Sequence, residues 1–301
     1  MRRKVLDLSM ILVISSKKVY AAKRILQEAE IRNEKLEIMD VWDLAACNFK
    51  IDIGKYDVLY VRDPYLNGGA KHLPQIVKLA KKFKAAGKKV VDSAITDGNI
   101  GKGKWTDYQK LQKAGLHIPE TKLLSDYPLP IIHYPLILKW VYGFKARDVF
   151  FIQNPDRLKE ILPSHPKKEW LIQEFIKADY EYKIITVGFK ALPVILRFKI
   201  KKNGFRMDFG KCEVLQSEDA GEAGGRQLNG GRRLLPRQII DLAESSSLLL
   251  KRELAKVDIL ELNGKFYVLE VNRFPGLQSF ERQAKFNVLG QFLGYLQNPP
   301  V

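Results

Sequence analysis

The sequence predicts an α/β protein of two or more lobes, and three observations carry that prediction. Apolar strand-like runs and amphipathic helix-like runs alternate through the first part of the chain, the order of a doubly wound lobe around a mostly parallel sheet. A second lobe follows, entered through the apolar strand Tyr134 to Trp140. Near the C-terminus an Asn263-Gly264 dipeptide joins two β-rich runs, a strong hairpin signal because both residues tolerate positive φ in a tight primed turn. With 301 residues the chain can bury a sizeable core and divide into lobes.

In order, Val5 to Ile14 reads as a buried strand. Met1-Arg2-Arg3-Lys4 followed by Leu8 to Ile14 imitates a secretory signal, but Asp7 interrupts the apolar stretch and a first strand serves better. Lys17 to Glu30 reads as a helix, Lys35 to Asp40 and Asp57 to Arg62 as strands, His72 to Ala86 as a helix, and Lys88 to Asp92 as a strand. No Gly-x-Gly-x-x-Gly follows the first strand, so a dinucleotide is not indicated. Gly101-Lys102-Gly103-Lys104-Trp105 opens a helix that runs through Lys113 and stops at Gly115. In the strand Tyr134 to Trp140, Lys139 is a lone cation that must either snorkel outward or meet an anion. Trp170 to Ile176 and Leu192 to Phe198 read as further strands. Ser217 to Gly231 reads as a long loop of the kind that forms lids.

The hairpin carries the chemistry. Asp258 lies on its first strand, Glu270 and Asn272 on its second, where alternation puts both on one face and Val271 on the other. Pairing folds Asp258 back beside them. Two carboxylates and an amide oxygen suit Mg2+, which keeps waters and is completed by substrate phosphates. The competing reading is a solvated amphipathic face. Against it, Val268, Leu269 and Val271 form a nearly continuous apolar run, so the hairpin reads as buried on both faces and its acids need partners.

Composition narrows the classes. No apolar run approaches the roughly 20 residues needed to span a bilayer, so no membrane partner is indicated. Cys47 and Cys212 are the only cysteines, without a Cys-x-x-Cys or a histidine cluster, which points to a reducing cytoplasm rather than a disulfide or zinc framework. Net charge is +17, which permits polyanionic partners. Lys78, Lys81, Lys82, Lys84, Lys88 and Lys89 read as the solvated face of one helix and its exit, and no nucleic-acid-binding motif accompanies them. His72, His117, His133 and His165 are scattered, with no nucleophile-and-base arrangement.

The hairpin sequence resembles that of the ATP-grasp ligases, and within them the RimK-type amino-acid ligases, where an Asp-Ile-Leu strand precedes Glu-Val-Asn-x-x-Pro-Gly. The resemblance implies an ATP-grasp fold of two α+β subdomains, 98–186 and 187–301, preceded by a Rossmann-like lobe, 1–97. It implies ATP as cofactor with Mg2+, Mn2+ being a permitted substitute, held by Asp258, Glu270 and Asn272. Lys104 and Lys139 would contact phosphates, as Arg197 would near the transferred phosphoryl group. Gln173, Glu174, Phe175 and Ile176 would read adenine, Glu181 would hold ribose, and Lys183 stands where the family commonly has Arg. Arg62 ends a strand whose terminus faces the substrate.

Departures accompany the matches. In the glycine-rich phosphate loop, Gly143 is kept while Ala146 and Asp148 replace glycines, with Lys145 and Arg147 as substitute cations. Asp208 stands where the pattern has Asn. The implied reaction transfers the γ-phosphoryl group of ATP to a carboxylate, and an amine then attacks the acyl phosphate. The implied partners are an amino acid and a carboxylate-bearing, acidic peptide or protein, with a homo-oligomer left open. A binder that has lost turnover and a basic ribosome- or nucleic-acid-associated module are the alternatives.

Overall fold

A computed structural model describes residues 10–97, 100–127, 133–143, 148–165, 168–201, 205–216 and 237–298. Lys145, Ala146, Arg147 and the loop Ser217 to Gly231 lie outside the described residues.

The first lobe is built on strands β1 (Ile11–Ile14), β2 (Leu36–Met39), β3 (Val58–Val61) and β4 (Lys89–Val91). All pair in parallel in the order β2-β1-β3-β4, as alternation of strand and helix predicts. Helix α1 (Tyr20–Ile31) buries Ala21, Ala22, Ile25 and Ala29, a stripe at helical spacing. Helix α2 (Val41–Ala46) is short and absent from the sequence reading; a capping box on Asp40 and Asp43 starts it. Helix α3 (Leu73–Ala85) turns Ile76, Leu79, Ala80 and Phe83 inward and leaves Lys78, Lys81, Lys82 and Lys84 exposed, the solvated face that the spacing of its lysines predicts.

Helix α4 (Gly103–Lys113) crosses to the second lobe. There β5 (Thr121–Leu123), β6 (Leu136–Trp140), β7 (Val149–Ile152) and β8 (Trp170–Glu174) form an antiparallel sheet in the order β5-β8-β6-β7, backed by α5 (Pro155–Ile161). The last sheet comprises β9 (Tyr180–Val187), β10 (Lys190–Ile200), β11 (Met207–Gln216), β12 (Leu254–Leu262) and β13 (Lys265–Asn272), in the order β11-β10-β9-β12-β13. Because β9 hydrogen-bonds into this sheet, residues 180–186 lie with the hairpin rather than with 98–179, which shifts the expected division at 186 back toward Glu174.

Helix α6 (Arg237–Leu249) covers one face of the five-stranded sheet through Ile239, Ile240 and Ala243. The other face meets α1, α7 (Leu277–Ala284) and α8 (Val288–Gln297). One apolar cluster joins Ile11, Val13 and Ile25 of the first lobe to Ile185, Phe198, Leu289 and Phe292, so the C-terminal helices fasten the first lobe to the hairpin sheet. Among the described residues no helix is long and apolar enough to cross a membrane.

Candidate active site

The tight turn behaves as its sequence requires. Asn263 and Gly264 adopt φ of 51° and 75°, and Leu262 pairs with Lys265 across it. Simple counting from that turn would set Asp258 opposite Leu269 and send Glu270 to the other face. A β-bulge intervenes: Ile259 pairs with Val268, but Asp258 pairs with Glu270, leaving Leu269 as the extra residue. Beyond the bulge the parity of β13 is reversed, so Glu270 and Asn272 share a face with Asp258. The three expected metal ligands are thus brought together by an inserted residue.

The same face carries two lysines, Lys183 and Lys256. Lys183 Nζ lies 2.8 Å from Glu181 and 3.3 Å from Asp258 Oδ1. Asn272 donates its side-chain amide to Asp258 Oδ2 at 3.1 Å, and Lys256 Nζ lies 3.6 Å from the same oxygen. Glu181 and Lys183 alternate on β9 directly beside β12, Lys183 opposite Asp258, which fixes this arrangement. Burial pushes the Glu181 carboxyl up against the opposing effect of Lys183. The Lys183 ammonium resists deprotonation, because Asp258 and Glu181 outweigh the cost of its burial.

Helix α4 supplies the opposing wall. Lys104 and Tyr108 stand one turn apart on its face. Lys104 Nζ lies 2.8 Å from Glu270 and donates to the Gly143 carbonyl at 2.6 Å; the Tyr108 hydroxyl donates to the Leu269 carbonyl at 2.8 Å. The helix approaches this closely because Gly103, at φ +75°, has no Cβ; one would lie 2.6 Å from Val141. Lys139, buried on β6, donates to the Tyr108 oxygen at 3.3 Å. Burial lowers the Lys139 ammonium to about 8. Burial opposes charge on Glu270 too, but Lys104, Lys139 and Lys256 together hold its carboxyl at about 2. Glu270 is therefore an ionised carboxylate with a third of its side chain exposed.

The donor set fits a hard cation. Asp258 and Glu270 offer carboxylate oxygens, and with its nitrogen committed to Asp258, Asn272 has its carbonyl oxygen as the remaining end. Among the described residues no three His, Cys, Asp or Glu side chains cluster as a metal cage.

Other expected residues fall elsewhere. Arg197 pairs across the sheet with Tyr182, which belongs to the face packed by α6, so it points away from Asp258. There it bonds Glu213 and lies over the Tyr180 ring at 4.5 Å. The expectation of Arg197 beside the phosphoryl group is corrected by strand parity. Arg62 is buried, donating to the Pro275 carbonyl at 2.7 Å, and so braces the turn after β13. Gln173 is buried and donates to Thr121 at 2.8 Å, and the Glu174 amide is taken by the Glu120 carbonyl at 2.8 Å, so neither presents a free donor. Phe175 packs on Phe151, and Ile176 joins Leu260 in a small apolar cluster beneath the hairpin. Asp148, which replaces a glycine of the phosphate loop, ion-pairs with Lys168 at 2.5 Å, and Asp208 accepts the Gly210 amide at 3.1 Å.

Sequence reading missed Lys256 and Tyr108. Lys256 was findable, since it precedes Asp258 by two and so shares its face. It also missed two buried ionic clamps, Arg252 on Asp107 at 2.8 Å and Arg273 on Asp92 at 3.2 Å.

Residues 102–276, more than half of the chain, match the family model described as ATP-grasp domain. The chain belongs to the ATP-grasp family. All the lysine and carboxylate residues of the hairpin face lie within that segment, whereas Arg62 lies outside it. A probable alpha-L-glutamate ligase of Haemophilus ducreyi is 24% identical over 221 residues, 70% of this chain and 67% of the relative. One from Methanococcoides burtonii is 21% identical over 95% of this chain and 94% of its own. Among solved structures, the ATP-grasp ligase PsnB complexed with a phosphomimetic variant of a minimal precursor, Mg and ADP superposes with a TM-score of 0.69 at 14% identity, covering 96% of this chain and 98% of that one. This ATP-grasp chain is thus of the carboxylate–amine ligase type, which forms C–N bonds.

Proposed function

We propose that the chain joins an amino acid to a carboxylate-bearing peptide or protein, using ATP and releasing ADP and phosphate. The observation that carries this reading is the juxtaposition of Asp258, Glu270 and Asn272 with Lys104, Lys139, Lys183 and Lys256 on one sheet face and its facing helix. Phosphoryl transfer needs little covalent help from a protein; it needs anions gathered and their charge stabilised. Lys104 and Lys139 are aimed from α4 and β6 toward the same region, and Lys139 is a buried cation whose nearest described partner is a neutral hydroxyl, a group prepared for an anion. Lys183 holds Asp258 in place, and Lys256 offers charge beside it. Bound at Asp258, Glu270 and Asn272, Mg2+ would screen the phosphates and polarise the group transferred.

The substrate carboxylate oxygen attacks the γ-phosphorus, ADP leaves, and the amine displaces phosphate from the acyl carbon, losing a proton to water or phosphate. No side-chain nucleophile is required. The glutamate-ligase relatives favour glutamate or a similar amino acid as one partner, and the +17 charge favours an acidic acceptor. A binding-only reading has one specific support: both oxygens of Asp258 are already engaged, by Lys183, Lys256 and Asn272.

ADP release from Mg-ATP, with pooled amino acids and glutamate-rich peptides, tests the proposal. The expected result is release that requires a pool component and falls at least about a hundredfold in Glu270→Ala. A folded chain that binds Mg-ATP but releases no ADP with any component would leave the binding-only reading.

A further inference from the structure

We propose that a second cavity, on the free edge of β4, binds a free α-amino acid, with its ammonium group on Glu253 and its carboxylate among Lys84, Lys88 and Lys89. The cavity, of about 370 Å³, is bounded by these four residues with Ser93, Thr96, Phe189 and Tyr295 among its walls. That volume lies within the range of small-ligand sites. None of Lys104, Lys139, Lys183, Asp258, Glu270 or Asn272 lines it, so it is distinct from the hairpin face.

Two features make it a built site. Glu253 is 3% exposed, and its carboxylate accepts the Ser93 amide at 2.9 Å. Among the described residues no basic side chain forms an ion pair with it, although buried carboxylates are ordinarily paired. Burial accordingly pushes its carboxyl up to about 7, with the Asp92 charge adding to the effect. An entering ammonium group would supply the missing cation. The second feature is the mouth, where α3 ends and β4 begins. Lys84, Lys88 and Lys89 line it there, and Lys88 lies 3.4 Å from Asp57. A ligand positive at its end against Glu253 and negative at its end toward the lysines complements this lining, which is the charge pattern of an α-amino acid. Tyr295 is fixed as a wall: it stacks on Phe292, and its ring fills the space a Cβ on Gly188 would need.

Isothermal titration of the full chain without nucleotide, using L-glutamate, L-alanine and L-lysine, tests this, with acetate and methylammonium as single-ended controls. At least one amino acid should bind at one per chain and more tightly than either control. Binding should weaken tenfold or more in Glu253→Gln and, should that variant not fold, in Lys84→Ala/Lys89→Ala, whose side chains lie at the mouth. It should persist in Glu270→Ala. Absence of saturable binding, retention in both cavity variants, or loss in Glu270→Ala alone would overturn the proposal. None of these outcomes bears on ADP release, which tests the ligase reading separately.

Discussion

Gly103 shows how a residue without a side chain can set the position of those that have one. Its φ of +75° and its lack of a Cβ, which would lie 2.6 Å from Val141, let α4 start against the end of β6, and Lys104 then reaches Glu270. Gly103→Ala should cost about 1–3 kcal/mol of stability, read by urea unfolding, because both the backbone region and the space disfavour a Cβ. Tyr108 is the second such residue. Its hydroxyl serves the Leu269 carbonyl and Lys139 together. Tyr108→Phe would leave the carbonyl unpaired at the bulge, with an expected loss of about 1–3 kcal/mol. Neither role is legible from the sequence alone: a glycine among Gly101-Lys102-Gly103 reads as a helix start, and a tyrosine at that position reads as core.

At the scale of elements, the bulge takes up Leu269 and so sets Glu270 opposite Asp258. Removing Leu269 would pair Asp258 with Glu270 by simple counting from the Asn263-Gly264 turn, so Glu270 and Asn272 would keep the face of Asp258 without the bulge. The expected outcome for that deletion is Mg-dependent nucleotide binding retained, with the far-ultraviolet circular dichroism largely kept; loss of binding by a folded variant would show that parity alone does not assemble the site. The same logic separates what the sequence reveals from what it hides. Turn chemistry places the hairpin, and alternation sets Glu270 and Asn272 on one face of β13, but their meeting with Asp258 depends on the bulge, which the sequence does not announce; the spacing of Lys104 from Gly115 places α4. Arg197 eludes that reading because its face depends on the register of β9 and β10, which is set by pairing partners far along the chain. The short α2 was open to detection through Asp40 and Asp43, whose capping pattern stands just after a strand. Buried clamps such as Arg252 with Asp107 depend on contacts between residues more than a hundred positions apart and leave no local signal.

Over the whole molecule, the first lobe and the hairpin sheet share one core, and burial within this assembly pushes the carboxyls of Glu181, Glu253 and Asp92 up. Glu253 titrates at about 7, and Asp92 is also raised by burial, despite Arg273 and Arg252. For Glu253 the folded state holds a proton that the unfolded state has released, so its contribution favours folding at low pH and is lost as pH rises from the ordinary carboxylate range through about 7. Urea unfolding at about pH 5 and about pH 7.5 should show this, and Glu253→Gln should flatten the difference by up to about 3 kcal/mol. An unchanged difference would mean that Asp92 and other groups carry it. The central claim concerns the hairpin face as the place where nucleotide and Mg2+ meet. Its most direct test is equilibrium binding of ADP with and without Mg2+, in the wild-type chain and in Glu270→Ala/Asn272→Ala. The account predicts Mg-dependent binding that the double variant loses while its unfolding transition is retained. Equal binding by the double variant, or no binding by a folded wild-type chain, would contradict it.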